Sequence, residues 1–290
     1  TARKYRMASI MFTDFKSFTK IAEEIKPEQL VAELDNYFKN FDEIIDKYDI
    51  EKIKTIGDAY MCAGGLPIRN KSNPIDIVLA GLEVQRFMKG YNNAKADAGG
   101  EGWGLRIGIH TGAVIAGVVG TKRFAYDIWG DGVNIASRIE TAGDVGKVNI
   151  SGVTYELVKE FFTCEHRGEI KAKNKGRIDM YFVHAIKPEL SVNGEGIVPN
   201  ALFQKYVDLH IYSGIHYRKA EKYIVERLKK ELPDNLHYHD LMHTTDVCAA
   251  VERIALMEGI EGDDIFLLKT AALYHDAGFV HQYANNEDLG

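Results

Sequence analysis

The sequence contains few cysteines and no long apolar run. Its three cysteines among 290 residues, Cys62, Cys164 and Cys248, are too few and too widely spaced for a disulfide framework or a zinc knuckle. No apolar run approaches the roughly 18 residues that a membrane-spanning helix needs, and no apolar N-terminal stretch of the secretory type is present. We therefore expect no membrane span in this chain and a reducing, cytoplasmic setting.

Dense basic clusters are also absent, although charge is distributed unevenly. Residues 1–188 hold 27 Lys and Arg against 25 Asp and Glu, whereas residues 189–290 hold 9 against 17. Neither region has the basic patch typical of duplex-binding proteins, so we expect no nucleic-acid partner. The difference in charge predicts two modules, residues 1–188 and 200–290, with a proline- and glycine-containing linker at 189–199.

The apolar periodicity of the first module predicts strands that alternate with helices. Pro27–Tyr48 has the spacing of a helix with one buried face, and Gly57-Asp58 between two apolar segments favours a hairpin turn. Leu105–His110 and Val114–Val119 are predicted as separate strands. Hairpin-joined strands among long helices indicate an α+β sandwich with a mainly antiparallel sheet and helices on one side. The pattern of the second module predicts an all-α domain.

Two carboxylates fall where a metal site could form. Asp14 follows a short apolar strand and Asp58 lies in the predicted hairpin, so adjacent strands could bring both to the same edge of the sheet. Mg²⁺ prefers a few hard oxygen ligands together with phosphate oxygens. On spacing alone, a helix-capping Asp14 and a turn-forming Asp58 explain the pattern as well.

Three sequence blocks carry a more specific signal. Met11–Phe15 (MFTDF), Glu51–Tyr60 (EKIKTIGDAY) and Tyr126–Arg138 (YDIWGDGVNIASR) occur in this order. Together they resemble the class III nucleotidyl cyclases, and the resemblance covers about residues 5–187. It implies the cyclase variant of the ferredoxin-like βαββαβ sandwich and an adenylate cyclase that converts ATP to 3′,5′-cyclic AMP and pyrophosphate.

The resemblance also implies roles for the acidic pair and for the helix of the third block. Asp14 and Asp58 would hold two divalent ions, Mg²⁺ or Mn²⁺, with the Phe15 carbonyl as a further ligand. Asn134 would orient the ribose, and Arg138 would stabilise the pentavalent phosphorus with its fork of donors. The general base stays open among Asp14, a water and a phosphate oxygen.

Lys54 and Asp127 match the purine-selecting positions of the family, and Ile128 joins them on the substrate-binding side. Adenine offers an acceptor at N1 and a donor at N6, which a Lys donor and an Asp acceptor complement. Guanine offers the reverse arrangement, so the pair favours ATP over GTP. A guanylate cyclase and a nucleotide-binding regulatory module without turnover are the alternatives.

Three basic residues are candidates for contact with the triphosphate. By the resemblance, Lys173 contacts the β- and γ-phosphates, although Asn174 stands where the family usually has glycine and a lysine-fringed edge strand is the competing explanation. Lys122 or Arg123 matches the phosphate-binding arginine within one residue of register.

A homodimer is expected because one chain carries both halves of the family's shared site. Asp14 and Asp58 belong to the metal-binding half, whereas Lys54, Asp127 and Arg138 belong to the half that a second domain supplies. A C₂ dimer would then contain two equivalent sites.

The second module resembles the HD-type metal-dependent phosphohydrolases. The blocks 236–243 (LHYHDLMH) and 272–279 (ALYHDAGF) place His243, His275 and Asp276 as ligands of a further divalent metal. The later aspartate of that family has no counterpart before residue 290, so we expect a partial domain.

A dinucleotide cyclase on a related fold is disfavoured as an alternative for the first module. Such an enzyme is expected to have an acidic hairpin with two adjacent glycines, whereas this chain has Gly57-Asp58 at that turn.

Overall fold

The computed structural model describes residues 2–120, 124–172, 176–211, 213–232, 241–260, 263–275 and 277. The chain forms two compact units, residues 1–204 and 205–290, and each is described by itself. The module boundaries that charge predicts, at residues 188 and 200, stay a prediction.

One large sheet forms the framework of the first unit. Its strands follow the order β2-β3-β1-β4-β6-β8-β7, with β5 paired to β4. Only the β4–β6 pairing is parallel among the described strand pairs, so the predicted α+β class with a mainly antiparallel sheet is confirmed. The strands are β1 (Ala2–Phe15), β2 (Glu51–Ile56), β3 (Ala59–Gly64), β4 (Leu105–Val119), β5 (Ala125–Trp129), β6 (Val148–Ser151), β7 (Phe162–Ala172) and β8 (Gly176–Ile186).

The helices of this unit are α1 (Phe18–Glu24), α2 (Pro27–Asp46), α3 (Asn73–Asp97), α4 (Asp131–Thr141) and α5 (Gly152–Val158). Helix α2 begins at Pro27, whose missing N–H costs nothing in a first turn. Its aromatic residues pack into the core, where Tyr37 lies 5.0 Å from the Phe15 ring and Phe41 lies 5.6 Å from the Tyr60 ring. These contacts fix the end of β1 that carries Asp14.

Helices cover both faces of the sheet, so the prediction that they lie on one side is wrong. Gly81 of α3 faces Ile109 and Met11. Gly132 of α4 instead faces Ile10, the neighbour of Met11 in β1, and successive residues of a strand point to opposite faces. Helix α4 therefore crosses the sheet on the face opposite α3.

Strand β4 is continuous, whereas the sequence predicts two strands separated by a turn. Gly112 pairs with Ala8, within a ladder that runs from the Phe15–Leu105 pair to the Ala2–Gly117 pair with one irregularity. The long partner strand therefore carries β4 through a Thr-Gly dipeptide that is otherwise typical of a turn. The periodicity of the sequence predicts neither of the short elements β6 and α5, whereas the helix that Asp14 could cap corresponds to α1.

Beyond β8 the chain folds back on the first unit. The Ile186 amide donates to the Gly196 carbonyl at 3.0 Å, and Ser191 bridges to Pro199. The second unit's described residues form helices, with α6 (Ala201–Ile211) beginning in the first unit, followed by α7 (Ser213–Glu231), α8 (Leu241–Met257) and α9 (Asp263–Tyr274). Ile224, Leu228, Cys248, Ala272 and Leu273 form its buried core.

A search of the described helices found none with the length and apolar character that crossing a bilayer requires.

Candidate active site

The structure brings Asp14 and Asp58 together at one edge of the sheet. Gly57, with φ of 62°, makes the tight β2–β3 turn, a conformation that glycine adopts without strain. Asp58 follows it and accepts a hydrogen bond from the Phe15 amide; burial and the nearby Asp14 carboxylate raise the pKa of Asp58. Two carboxylates that repel each other in this way fit a divalent cation, which would favour the charged form of both.

Arg106 and Glu140 adjoin this acidic pair. Arg106 lies opposite Asp14 in the β1–β4 ladder, and its Nη2 donates to Asp14 Oδ2 at 2.5 Å. Its Nε lies 3.0 Å from Glu140 Oε1, although the angle is too bent for a regular hydrogen bond. Burial raises the pKa of Glu140 to about 7; Arg106 lowers it, and the Asp14 and Asp58 carboxylates raise it further.

Sequence reasoning missed both Arg106 and Glu140. A usable signal was present for Arg106, because it is a charge within the otherwise apolar strand Leu105–His110. Glu140 lies in the last turn of α4 and is 6% exposed, and a nearly buried carboxylate needs a partner. Nothing in the linear sequence pairs these two residues, which lie 34 positions apart.

A second group of polar residues forms where β2 meets β5. Lys54 Nζ lies 2.6 Å from Asp127 Oδ2, and Asp127 Oδ1 accepts a hydrogen bond from the Ile128 amide at 2.8 Å. Both oxygens of Asp127 are therefore oriented. The Ile128 side chain is buried, so its backbone, rather than its side chain, faces this group. A donor and an acceptor held side by side can read the edge of a purine base.

Helix α4 presents Asn134 and Arg138 on its exposed face. The two residues are four apart, so they lie one turn from each other. Arg138 Nη1 donates to the Lys171 carbonyl of β7 at 3.5 Å, a long contact that leaves most of the guanidinium donors available. This face can therefore bind an anionic group brought by another molecule.

The three candidate phosphate contacts, Lys122, Arg123 and Lys173, lie outside the described residues, and so does Asp276. In the second unit, the rings of His243 and His275 lie 5.5 Å apart, and His275 Nδ1 lies 2.6 Å from the Ala272 carbonyl oxygen. Over the part of the chain that the structure describes, no three His, Cys, Asp or Glu side chains form a metal-binding group.

Comparison with known proteins points to one family. The model of the adenylate and guanylate cyclase catalytic domain matches residues 1–185. An adenylate cyclase of Mycobacterium tuberculosis is 39% identical over 185 residues, which are 63% of this chain and 40% of that protein. Human guanylyl cyclase C is 39% identical over 189 residues, 64% of this chain and 17% of that protein. The chain thus spans well under half the length of these relatives.

Solved structures of both kinds of cyclase share the fold of the first unit. The adenylyl cyclase CyaB from P. aeruginosa has a TM-score of 0.60 at 30% identity, and the match covers 63% of this chain and 96% of that one. The guanylate cyclase domain of RhGC from Catenaria anguillulae, in complex with GTP, has a TM-score of 0.60 at 30% identity, covering 64% and 100%.

Proposed function

The chain belongs to the adenylate and guanylate cyclase catalytic-domain family, and from that premise we propose that it converts ATP to 3′,5′-cyclic AMP and pyrophosphate as a homodimer. The observation that carries the choice of ATP is the 2.6 Å pair between Lys54 Nζ and Asp127 Oδ2. The three free cysteines support a reducing, cytoplasmic setting as part of the same proposal.

At the metal end, Asp14 and Asp58 would hold two divalent ions, Mg²⁺ or Mn²⁺, with the Phe15 carbonyl as a further ligand. These ions, when bound, would lower the pKa of the ribose 3′-hydroxyl and neutralise charge on the departing pyrophosphate. Arg106 donates one hydrogen bond to Asp14 Oδ2, so Oδ1 keeps the greater lone-pair capacity for a metal.

The base-reading pair argues for adenine. Lys54 Nζ would donate to N1 and Asp127 would accept from the N6 amino group. With guanine, both groups would face a partner of their own kind, and each mispaired polar group costs about 1–3 kcal/mol. The two positions together therefore support strong selection of ATP.

The exposed face of α4 would act on the sugar and the phosphates. Asn134 would orient the ribose, and Arg138 would stabilise the equatorial oxygens of the pentavalent phosphorus, since a guanidinium presents paired donors to an oxyanion. Lys173 and either Lys122 or Arg123 would bind the β- and γ-phosphates. The ribose 3′-oxygen loses its proton and forms a bond with the α-phosphorus, while the bond from the α-phosphorus to the oxygen that bridges to the β-phosphorus breaks and pyrophosphate leaves.

A homodimer follows from the distribution of these groups. Asp14 and Asp58 lie at one end of the strands. Lys54 of β2 pairs with Asp127 of β5, and Arg138 lies on the exposed face of α4. One protomer would supply the acidic pair and its partner the remaining groups, so two equivalent sites would form about a twofold axis.

The test is product identification with both purine triphosphates. Purified protein is incubated with ATP or GTP and Mg²⁺ or Mn²⁺, and nucleotide products and pyrophosphate are measured. We expect cyclic AMP and pyrophosphate from ATP, and none from the Asp58→Ala control. A preference for GTP would support the guanylate cyclase alternative. A stable dimer that turns over neither triphosphate would support the regulatory alternative.

A double substitution sharpens the choice between ATP and GTP. Lys54→Glu with Asp127→Ser supplies an acceptor for guanine N1–H and a donor for O6. We expect kcat/KM for ATP to fall at least about tenfold, at about 1–3 kcal/mol per mispaired group, while kcat/KM for GTP rises. Loss of both activities in a folded dimer, or retention of the ATP preference, would contradict this assignment.

For the second unit we propose a divalent-metal site formed by His243, His275 and Asp276, as in the HD-type phosphohydrolases that it resembles. The 5.5 Å separation of the two rings supports it. Metal content after incubation with Mn²⁺ should fall in His275→Ala relative to the unmodified protein. Equal metal content would contradict the site, and a phosphate-ester hydrolysis assay on the metal-loaded protein would test for activity.

A further inference from the structure

The last turn of α4 holds Arg106 at two points. Arg106 Nε lies 3.0 Å from Glu140 Oε1, and Nη1 donates to the Thr141 carbonyl at 3.4 Å. Nη2 is left for Asp14 Oδ2, at 2.5 Å. The Glu140 side chain is only 8% exposed, so its carboxyl group faces Arg106 rather than solvent.

Strand β4 provides the space for this arrangement. A Cβ at Gly108 would overlap the Glu140 backbone nitrogen, so the end of α4 lies directly on the strand. Glu140 therefore reaches Arg106, two residues from Gly108, without extending through solvent. Such direct packing limits the freedom of the Glu140 carboxylate.

We propose that Glu140 is a positioning residue of the metal-binding half of the site. Its carboxyl group lies against the Nε edge of Arg106 as an ion pair and holds that edge away from Asp14. Arg106 then donates to Asp14 through Nη2 alone, and Asp14 Oδ1 accepts nothing from Arg106 and can bind a metal. The inference rests on the proposed function, because it assumes that Asp14 is a metal ligand.

A different pairing between Arg106 and Asp14 would form if Glu140 were absent. A guanidinium and a carboxylate readily form a bidentate pair with two parallel hydrogen bonds. Without Glu140, the Nε–H and Nη2–H of Arg106 could both engage Asp14 and occupy both of its oxygens. A divalent cation would then compete with Arg106 for Asp14.

Glu140 belongs to the half of the site opposite from that of Arg138, although the two are close in sequence. Residues two apart on an α-helix point in nearly opposite directions, and accordingly Arg138 is exposed while Glu140 is buried. Helix α4 thus carries a residue for each of the two sites of the proposed dimer.

The first experiment measures metal binding without turnover. Mn²⁺ affinity is followed by electron paramagnetic resonance with ATP lacking its 3′-hydroxyl. We expect Glu140→Gln to weaken Mn²⁺ binding at least about tenfold, the usual effect of losing a group that orients a metal ligand. The control Glu83→Gln removes an ion pair with Lys47, 2.6 Å long, far from the acidic pair in sequence and on α3, and should leave Mn²⁺ affinity unchanged.

A second variant separates positioning from general loss of structure. Lys cannot form the bidentate pair, so adding Arg106→Lys to Glu140→Gln should return Mn²⁺ affinity toward that of the unmodified protein. Unchanged affinity in Glu140→Gln, or no recovery in the folded double variant, would overturn the proposal.

Mixing experiments place Glu140 in one half of the site. Glu140→Gln mixed with Arg138→Ala should regain activity, because one of the two sites in the mixed dimer is intact. Glu140→Gln mixed with Asp58→Ala should not, because both changes affect the metal-binding half. Recovery in the latter mixture would refute the assignment of Glu140.

The reference mixture is Asp58→Ala with Arg138→Ala. If it fails to regain activity although mixed dimers form, the shared-site function itself fails. If it recovers and the Glu140 mixtures do not follow the expected pattern, only the role of Glu140 is wrong.

Discussion

Glu140 combines a buried position with a carboxyl group whose charge the fold disfavours. The pKa of Glu140 is raised from 4.5 to about 7, mainly by burial, although Arg106 lowers it in part. Because the folded state holds the proton more tightly than the unfolded state, the free energy of unfolding falls as pH rises between about 4.5 and about 7. Below about pH 4.5 and above about pH 7, Glu140 does not change the free energy of unfolding as pH changes.

We therefore predict a pH-dependent effect of Glu140→Gln on the stability of the metal-free protein. Glutamine mimics the protonated carboxyl, so the variant should gain stability relative to the unmodified protein as pH rises from 5 to 8. The change in the difference should be on the order of 1–3 kcal/mol, since one pKa unit corresponds to about 1.4 kcal/mol. Urea denaturation at both pH values measures it.

Titrating groups that do not interact with Glu140 cancel, because only the difference between the two proteins is compared; the difference therefore reports Glu140 together with the carboxylates that it repels. A difference that is constant with pH would show that the Glu140 carboxylate is already charged in the folded protein at pH 5, paired with Arg106.

At the scale of elements, the contact between α4 and β4 depends on one glycine. Gly108 is buried, and any side chain there would meet the backbone of Glu140. A backbone cannot move aside as a flexible side chain can, so α4 would have to shift as a whole. That shift would carry Asn134 and Arg138 with it.

We predict that Gly108→Ala destabilises the protein by about 1–3 kcal/mol, the usual cost of overpacking, and lowers kcat by displacing α4. The control is Gly90→Ala in α3, where a Cβ meets nothing within 4 Å. It should stabilise the protein by up to about 1 kcal/mol, because alanine favours a helix interior over glycine. Chemical denaturation measures both, and equal stability of the two variants would contradict the packing argument.

Local elements were predictable where periodicity and turn chemistry agree. Helix α2 begins at the predicted Pro27, and Gly57-Asp58 forms the predicted hairpin turn. The continuity of β4 through Gly112 was not predictable, because it depends on pairing with β1, about a hundred residues earlier. The contact between Arg106 and Glu140 was not predictable for the same reason, because it depends on how α4 crosses the sheet.

At the scale of the whole molecule, the β4–β5 hairpin exposes an apolar surface. Ile115 and Trp129 are register partners on neighbouring strands and are 46% and 42% exposed. Val119 lies on the same side of β4 as Ile115, because alternate residues of a strand share a face, and it is 53% exposed. An apolar patch of this kind is typical of an interface, and it adjoins the strand that carries Asp127.

If this surface forms the proposed homodimer, a charge placed in it should weaken association. We predict that Ile115→Lys raises the dimer dissociation constant at least about tenfold, since burying an unpaired ammonium easily exceeds the 1.4 kcal/mol that a tenfold change requires. The control Val153→Lys makes a similar change at an exposed position of α5 and should leave the dimer intact. Sedimentation velocity measures both variants.

Activity distinguishes weakened association from misfolding in the Ile115→Lys variant. If each site needs two protomers, activity per chain should fall at low protein concentration and return as the concentration approaches the new dissociation constant. The Val153→Lys control should show the concentration dependence of the unmodified protein. Unchanged dimer affinity in Ile115→Lys would place the interface elsewhere, whereas a monomer with full activity would refute sites shared between two protomers.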